Sequence, residues 1–286
     1  MKRLALACVA SLGLISLACP GRSKTSTEGA KPTPANTATE RPPVILITID
    51  TLRPDHMSVY GYSRKTTPRL DEWAGKAAVF EQAYTYWPKT RGSFVAMMTG
   101  RTAGESGYSP KHPELHAFNP TLAETLQKSG YDTAAFVDNA NVAGSLGFSR
   151  GFKTYVEMWA DASLKDEVAR TEAITKRGIG YLRSKAAGEG FFLWLHYVNP
   201  HAPYPPPAPF DKAFIDRPKS DRKLKVVDGF FGGASRQWAD AMPGKTTLAD
   251  YVNAYDGEIA YADSQVDEVL RAIDAEGLLE DRRDAA

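Results

Sequence analysis

Thr90 and Arg91 open the stretch 87-WPKTRGSFVAMMTGR-101, where an apolar segment from Phe94 to Met98 is closed by Thr99 and Gly100. The pattern reads as a helix with a polar mouth. A hydroxyl there caps the helix by satisfying orphan backbone N–H groups. The same mouth suits an anionic ester, because a helix N-terminus offers N–H donors and positive potential. Both roles are open for Thr90. A threonine hydroxyl is a weak nucleophile unless a metal ion or a base lowers its pKa, so chemistry at Thr90 needs partners. Asp50, closing the apolar run 44-VILITID-50, is the nearest candidate ligand, with a plain turn residue as the alternative. Arg91 and Arg101 could add charge-assisted bonds to ester oxygens. His196 and His201 flank 197-YVNP-200, and each either meets a metal or an oxyanion or is satisfied by loop backbone. His112 and His116 fall in an irregular loop and read as solvated.

These side chains need a scaffold that brings distant segments to one edge. The run 44–50 is continuously apolar and β-branched, as expected of a strand buried on both faces of a parallel sheet. Strands are also expected over 131-YDTAAFVD-138 and 191-FFLWLHYVN-199. Helices are expected over 67–80 (Leu70, Trp73 and Ala77 on one face), 120–130, Leu164 to Ala187 and 246–277. The Pro-rich 200-PHAPYPPPAPF-210 can only be a loop, and Asp211 to Lys245 shows no sustained period. Strands feeding helices imply a mostly parallel α/β sheet sandwiched by helices. An acid at the carboxyl end of such a strand lies where these folds place ligands. After the last helix only 278-LLEDRRDAA-286 follows, so the sheet is expected to be incomplete at the C-terminus.

With 35 Lys+Arg against 34 Asp+Glu the formal net charge is +1, and no summed field argues for a nucleic-acid partner. Lys2 and Arg3 precede the apolar run 4–19, which has the layout of a secretory signal and is too short for a comfortable membrane span. Its end, 16-SLAC-19, resembles a bacterial lipobox with Cys19 as the lipidated residue, although Ser16 stands where Leu is usual. Residues 20–43 are rich in Ser, Thr, Pro, Gly and Ala and read as a disordered tether. The expected organisation is signal 1–19, tether 20–43 and folded domain 44–286, exported to the cell envelope and held to the membrane by a lipid anchor only. Both cysteines, Cys8 and Cys19, precede the domain, which therefore has neither disulfide nor thiol chemistry.

The string 44-VILITIDTLRPDHMSVYGYSRKTTPRLDEWAGKAAVFEQAY-84 resembles the opening of the sulfatase branch of the alkaline phosphatase superfamily. The resemblance continues in 90-TRGSFVAMMTGR-101, 192-FLWLHYVNPHAPYPPP-207 and 255-YDGEIAYADSQVDEVL-270, in the family's order. It implies an alkaline phosphatase-like fold and a divalent cation (Ca, Mg, Mn or Zn) with Asp50 and Thr90 among its ligands. It also implies Thr90 as nucleophile, Arg91 and His201 as catalytic partners, and Arg101 and His196 as substrate contacts. The substrate would be a small anionic ester, or a sulfated or phosphorylated glycan or lipid.

Several departures narrow this. Thr90 stands where sulfatases carry the Cys or Ser that becomes formylglycine, with Gly92 for Pro and Phe94 for Arg, so the formylglycine route is not expected. Superfamily members with threonine here act on phosphoesters. Thr51 replaces the second metal-binding Asp, and Asn199 replaces the Asp before Pro-His. The Ser-Asp-His-Gly block that completes the metal site is absent. The expectation is a C-terminally truncated sulfatase-like hydrolase or transferase with an incomplete site. The alternatives are a catalytically dead envelope lipoprotein that binds anionic glycans, and an unstable truncated gene product.

Overall fold

The computed structural model describes residues 41–185, 188–215, 222–229 and 233–278. The signal 1–19, Cys19 and the tether up to residue 40 lie outside the described residues. Four parallel strands form the main sheet: β1 (Val44–Ile49), β2 (Asp132–Val137), β3 (Thr154–Glu157) and β4 (Phe191–Tyr197), in the order β1-β4-β2-β3. β4 sits inside the sheet and all seven of its residues are buried, which explains its unbroken apolar run. β1 pairs only with β4 among the described residues, and five of its six residues are partly exposed.

Register decides which side chains meet. Thr48 lies opposite His196, and His196 opposite Val137. Because side chains alternate along a strand, Thr48, Trp194, His196 and Val137 share one face, and Asp50 and Asn139, each two residues further on, fall on the same side. Tyr197, Asn199 and Asp138 belong to the other. Helix α2 (Thr90–Thr99) covers the first face, packing Phe94, Val95 and Met98 on Val137, Phe192 and Trp194. α5 (Glu167–Arg183) and α7 (Leu248–Ala275) cover the second with Ile174, Leu182, Val266, Val269 and Ile273, and α1 (Pro68–Ala74) adds Leu70. The α/β sandwich with helices on both faces is as the sequence implied. Shorter helices α3 (Ala103–Ser106), α4 (Leu122–Lys128) and α6 (Arg236–Ala241) fill the connections.

Caps fix most helix boundaries. Thr121 with Glu124, and Thr247 with Asp250, form capping boxes at α4 and α7, and Asp166 accepts from Ala169 N–H at α5, so α5 begins later than residue 164. The first helix, expected over 67–80, stops at Ala74: Gly75 and Lys76 donate to Asp71 and Trp73 carbonyls and the ladder does not continue. Ala77, expected on the Leu70 face, is exposed. β3 was not anticipated, since its four residues, TYVE, carry no usable period. The stretch 211–245 holds a two-residue parallel pair, β5 (Val226–Val227) and β6 (Ala234–Ser235), followed by α6.

Candidate active site

Asp50 is the first residue beyond β1, and its N–H extends the ladder to the Tyr197 carbonyl at 2.9 Å. Its carboxylate therefore stays on the α2 side of the sheet. Thr90 is the first helical residue of α2, while the cap position belongs to Lys89, whose side chain makes no cap bond. The capping role is thus excluded for Thr90. Its hydroxyl instead donates toward both carboxylate oxygens of Asp50, at 3.1 Å to Oδ2 and 3.4 Å to Oδ1.

A third residue joins them. Asn139, two positions past β2, donates its Nδ2 to Asp50 Oδ2 at 2.7 Å. Its Oδ1 accepts from the backbone N–H and the Nδ2 of Asn141, and Asn141 Oδ1 accepts from Arg91 Nη2 at 3.1 Å. Since Arg91 follows Thr90 in the chain, the circuit Thr90, Asp50, Asn139, Asn141, Arg91 closes on itself. Both asparagines escaped the sequence reading. The signal was there in 138-DNAN-141, a polar cluster at the carboxyl end of an anticipated strand.

Two expected substrate contacts, His196 and Arg101, make no hydrogen bond to Asp50 or Thr90 among the described residues. His196 is fully buried beneath the site, its ring centroid 4.7 Å from that of Phe94. Its Nδ1 lies 2.9 Å from Thr48 Oγ1, which also accepts from Trp194 Nε1 at 3.0 Å. Burial pushes its pKa down to about 4 against the opposing pull of Asp50, so the ring is neutral at pH 7 and brings no charge to an oxyanion. Arg101 follows the far end of the ten-residue α2 and donates to Asn119 Oδ1 at 3.3 Å. The helical rise puts the far end of α2 about 15 Å along the axis from Thr90.

His201 is half-buried in the loop after β4, and its Nδ1–H donates to the Ala202 carbonyl at 2.8 Å, which leaves Nε2 unprotonated in the neutral ring. No hydrogen bond joins it to Asp50 or Thr90 among the described residues. The Arg91 Nε and His196 Nε2 atoms are buried without a hydrogen-bond partner.

Behind the sheet a second polar assembly uses the opposite face of the same strand ends. Asn199 Nδ2 lies 2.7 Å from both Glu167 Oε1 and Glu258 Oε2, while Arg170 Nε donates to Asp138. Burial raises the carboxyl pKa of Glu167 to about 7 and that of Glu258 to about 8.

This strand-end pairing of an acid with the hydroxyl opening a helix lies within a longer match: residues 42–282 fit the family model described as Sulfatase. The chain belongs to the sulfatase family. It is 23% identical over 184 residues to the N-acetylglucosamine-6-O-sulfatase of Bacteroides thetaiotaomicron, covering 60% of this chain and 33% of that protein. It is 23% identical over 297 residues to the arylsulfatase of Clostridium perfringens, covering 84% of this chain and 60% of that one. Among solved structures, the phosphonate monoester hydrolase of Agrobacterium radiobacter superposes with a TM-score of 0.63 at 18% identity, covering 83% of this chain and 60% of that chain. The chain thus spans between a third and three fifths of the length of these proteins.

For a sulfatase-family chain, the donor set around Asp50 can be tested against a cation. The Asp50 carboxylate and Thr90 hydroxyl are hard oxygen donors close enough to share one divalent ion. Among the described residues no group of three or more His, Cys, Asp or Glu is placed to hold a metal ion. The pair fits as two ligands and does not by itself make a cage of about four. Among the described residues, no helix is long and apolar enough to cross a membrane.

Proposed function

We propose that Thr90 is the nucleophile of a sulfatase-like hydrolase or transferase. Its Oγ bonds to the phosphorus or sulfur of an anionic ester as the bond to the ester's alcohol breaks, and the alcohol leaves with, in net, the proton Thr90 gives up. Water or an acceptor alcohol then takes the group from Thr90. The observation that carries this reading is the Thr90 hydroxyl directed onto the Asp50 carboxylate from the first turn of α2. Asp50 orients the hydroxyl by accepting its proton in a hydrogen bond, which leaves the Oγ lone pairs facing away from the carboxylate. The free N–H groups of the α2 N-terminus favour an anionic ester at the same place. Arg91, beside Thr90 and with its Nε unpartnered, supplies the positive charge that the neutral His196 does not. His201 is the second candidate for stabilising the ester oxygens. A divalent cation bound by Asp50, Thr90 and further ligands would supply positive charge that lowers the hydroxyl pKa.

Threonine cannot be converted to the formylglycine aldehyde, which favours phosphate or phosphonate esters over sulfate esters. Likeness to a phosphonate monoester hydrolase is in keeping with that preference. The leader 1–19 and Cys19 would place the chemistry in the cell envelope on a lipid anchor. A second reading is an anion-binding lipoprotein without turnover, for which the two donors among the described residues would suffice.

The test is incubation with p-nitrophenyl phosphate, p-nitrophenyl sulfate and phenylphosphonate p-nitrophenyl ester, each with added Ca, Mg, Mn or Zn. Release of p-nitrophenol, with a covalent adduct mapped to Thr90 and lost in Thr90→Ala, is the expected result. Binding of the anions without release or adduct would leave the second reading standing.

A further inference from the structure

Thr51, directly after Asp50, has φ of 57° and is the only non-glycine residue with positive φ among those described. A β-branched residue in the left-handed region is costly, because its Cβ crowds the backbone. The Thr51 side chain is exposed, so no packing of that side chain explains the conformation. The explanation lies 204 positions away in sequence, on α7. The Tyr255 hydroxyl donates to the Thr51 carbonyl at 2.7 Å and accepts from the Arg53 N–H at 3.0 Å, bridging the two ends of the turn.

Tyr255 is itself fixed. It is 8% exposed, and its ring lies 5.0 Å from His56 and 5.5 Å from Tyr204, centroid to centroid. The next α7 residue, Asp256, is fully buried and takes His56 Nδ1 at 2.6 Å, Tyr62 Oη at 2.7 Å and Arg64 Nη1 at 2.7 Å. Asn253, one turn earlier, accepts from Arg64 Nη2 at 2.9 Å. One side of α7 therefore grips the whole segment from Thr51 to Arg64, and Tyr255 grips it at the strained residue.

The consequence reaches the active site through one bond. Rotation about the N–Cα bond of Thr51 sets where the chain goes after Asp50. The left-handed turn takes the backbone out of the line of β1 at that point, with the Asp50 carboxylate left facing Thr90 and Asn139. Because Asp256 holds the chain downstream at His56, Tyr62 and Arg64, a Thr51 that relaxed to an extended conformation would pass the change back to the Asp50–Thr51 peptide, at the last ladder bond of β1, and the carboxylate would turn with it. We propose that Tyr255 is a positioning residue of this site: its hydroxyl holds Thr51 in the left-handed region and so fixes the Asp50 carboxylate on Thr90 and Asn139. Tyr255 touches no reacting atom and acts only through Thr51.

The proposal rests on the reading of Thr90 only in treating Asp50 as its partner, and its test needs no substrate. Tyr255→Phe, Thr51→Gly and the double variant are compared by thermal midpoint, by Arg53 amide exchange and by the Asn139 side-chain amide signals in 1H–15N spectra. In Tyr255→Phe, Arg53 exchange rises about tenfold, as expected for one lost hydrogen bond, and the Asn139 proton bonded to Asp50 shifts toward the position of a free carboxamide. Glycine adopts the left-handed region without penalty. In the double variant the Asn139 signal therefore returns to its wild-type position, while the Arg53 exchange stays as in Tyr255→Phe, because the hydroxyl that accepted its N–H is still missing. That rescue separates positioning from mere stabilisation. An Asn139 signal unmoved by Tyr255→Phe, or displaced equally in the double variant, overturns the proposal and leaves the chemistry of Thr90 untouched. Absence of turnover in the ester assays bears on Thr90 alone.

Discussion

Asp50 Oδ2 accepts two hydrogen bonds, from Asn139 at 2.7 Å and from Thr90 at 3.1 Å. The shorter one comes from a residue with no chemistry of its own, so its role is to decide how the carboxylate is turned. Removing a donor to a charged acceptor costs about 1.5–3 kcal/mol. If the bond matters equally to the reacting state, the proposed reaction at Thr90 would lose roughly ten- to a hundredfold in kcat/KM in Asn139→Ala, and steady-state kinetics on an ester found to be turned over reads the loss. Gly92 makes a different kind of demand on the same turn of α2. A Cβ there would lie 2.5 Å from the Trp87 ring and 2.7 Å from the Tyr108 ring, two aromatics already packed edge to face. Gly92→Ala is expected to destabilise the fold by about 1–3 kcal/mol, as overpacking of a close-packed site does, and a urea melt measures it. Thr90 was legible in the sequence as a polar residue at a helix mouth. That it is not a cap was not legible, because Lys89 and Thr90 differ by one position and element ends are set by backbone geometry.

At the scale of elements, α5, β4 and α7 are joined behind the site by Asn199 between Glu167 and Glu258. Glu258 is 1% exposed and its carboxyl pKa is raised by burial to about 8, from a usual 4.5. A raised carboxyl pKa means the folded state binds the proton more tightly than the unfolded chain. The stability this brings is fully present below about pH 4.5 and is lost as pH rises through the folded value, with Glu167 adding to the loss up to about 7. Stability should therefore fall between pH 5 and 8, by at most about 1.4 kcal/mol per pH unit for each group, and thermal midpoints should fall with it. Glu258→Gln keeps an oxygen for the Asn199 amide but cannot ionise, so it should flatten that limb. A midpoint profile as steep as wild type would show that Glu258 is not the group responsible. The three main strands and long helices could be read from apolar runs and caps. Ala77 fits the apolar stripe of the first helix, but the last i−4 bond is Gly75 to Asp71, and Lys76 and Ala77 turn to the carbonyls three residues back.

In the molecule as a whole, protection should follow position in the sheet. β4 is paired on both sides and fully buried, while β1 is paired on one side among the described residues and is partly exposed. Local opening is cheaper where fewer buried contacts must break. Native-state hydrogen exchange is expected to show the slowest amides in β4 and measurably faster ones in β1. Equal protection across both strands would mean that another segment covers β1. The run from Val79 to Tyr86 is exposed as well, with Phe80 at 60%, Tyr84 at 86% and Tyr86 at 72%.

The sequence by itself determined the kind of protein this is. An apolar β-branched run ending in an acid, alternation of strand and helix, and a hydroxyl opening a helix point to a parallel α/β sheet with ligand chemistry at its strand ends. These are local properties, set by side-chain type and period, and they survive without knowledge of neighbours. Only the tertiary structure decided which candidates meet. Strand parity turned Asp50 toward α2 and put His196 beneath Phe94, where burial leaves it neutral. Helix length carried Arg101 away, and strand order brought Asn139 to Asp50 across 89 positions of sequence. Register and strand order are long-range facts: a single residue of slip would exchange the two faces of the sheet, and no period within one segment records it.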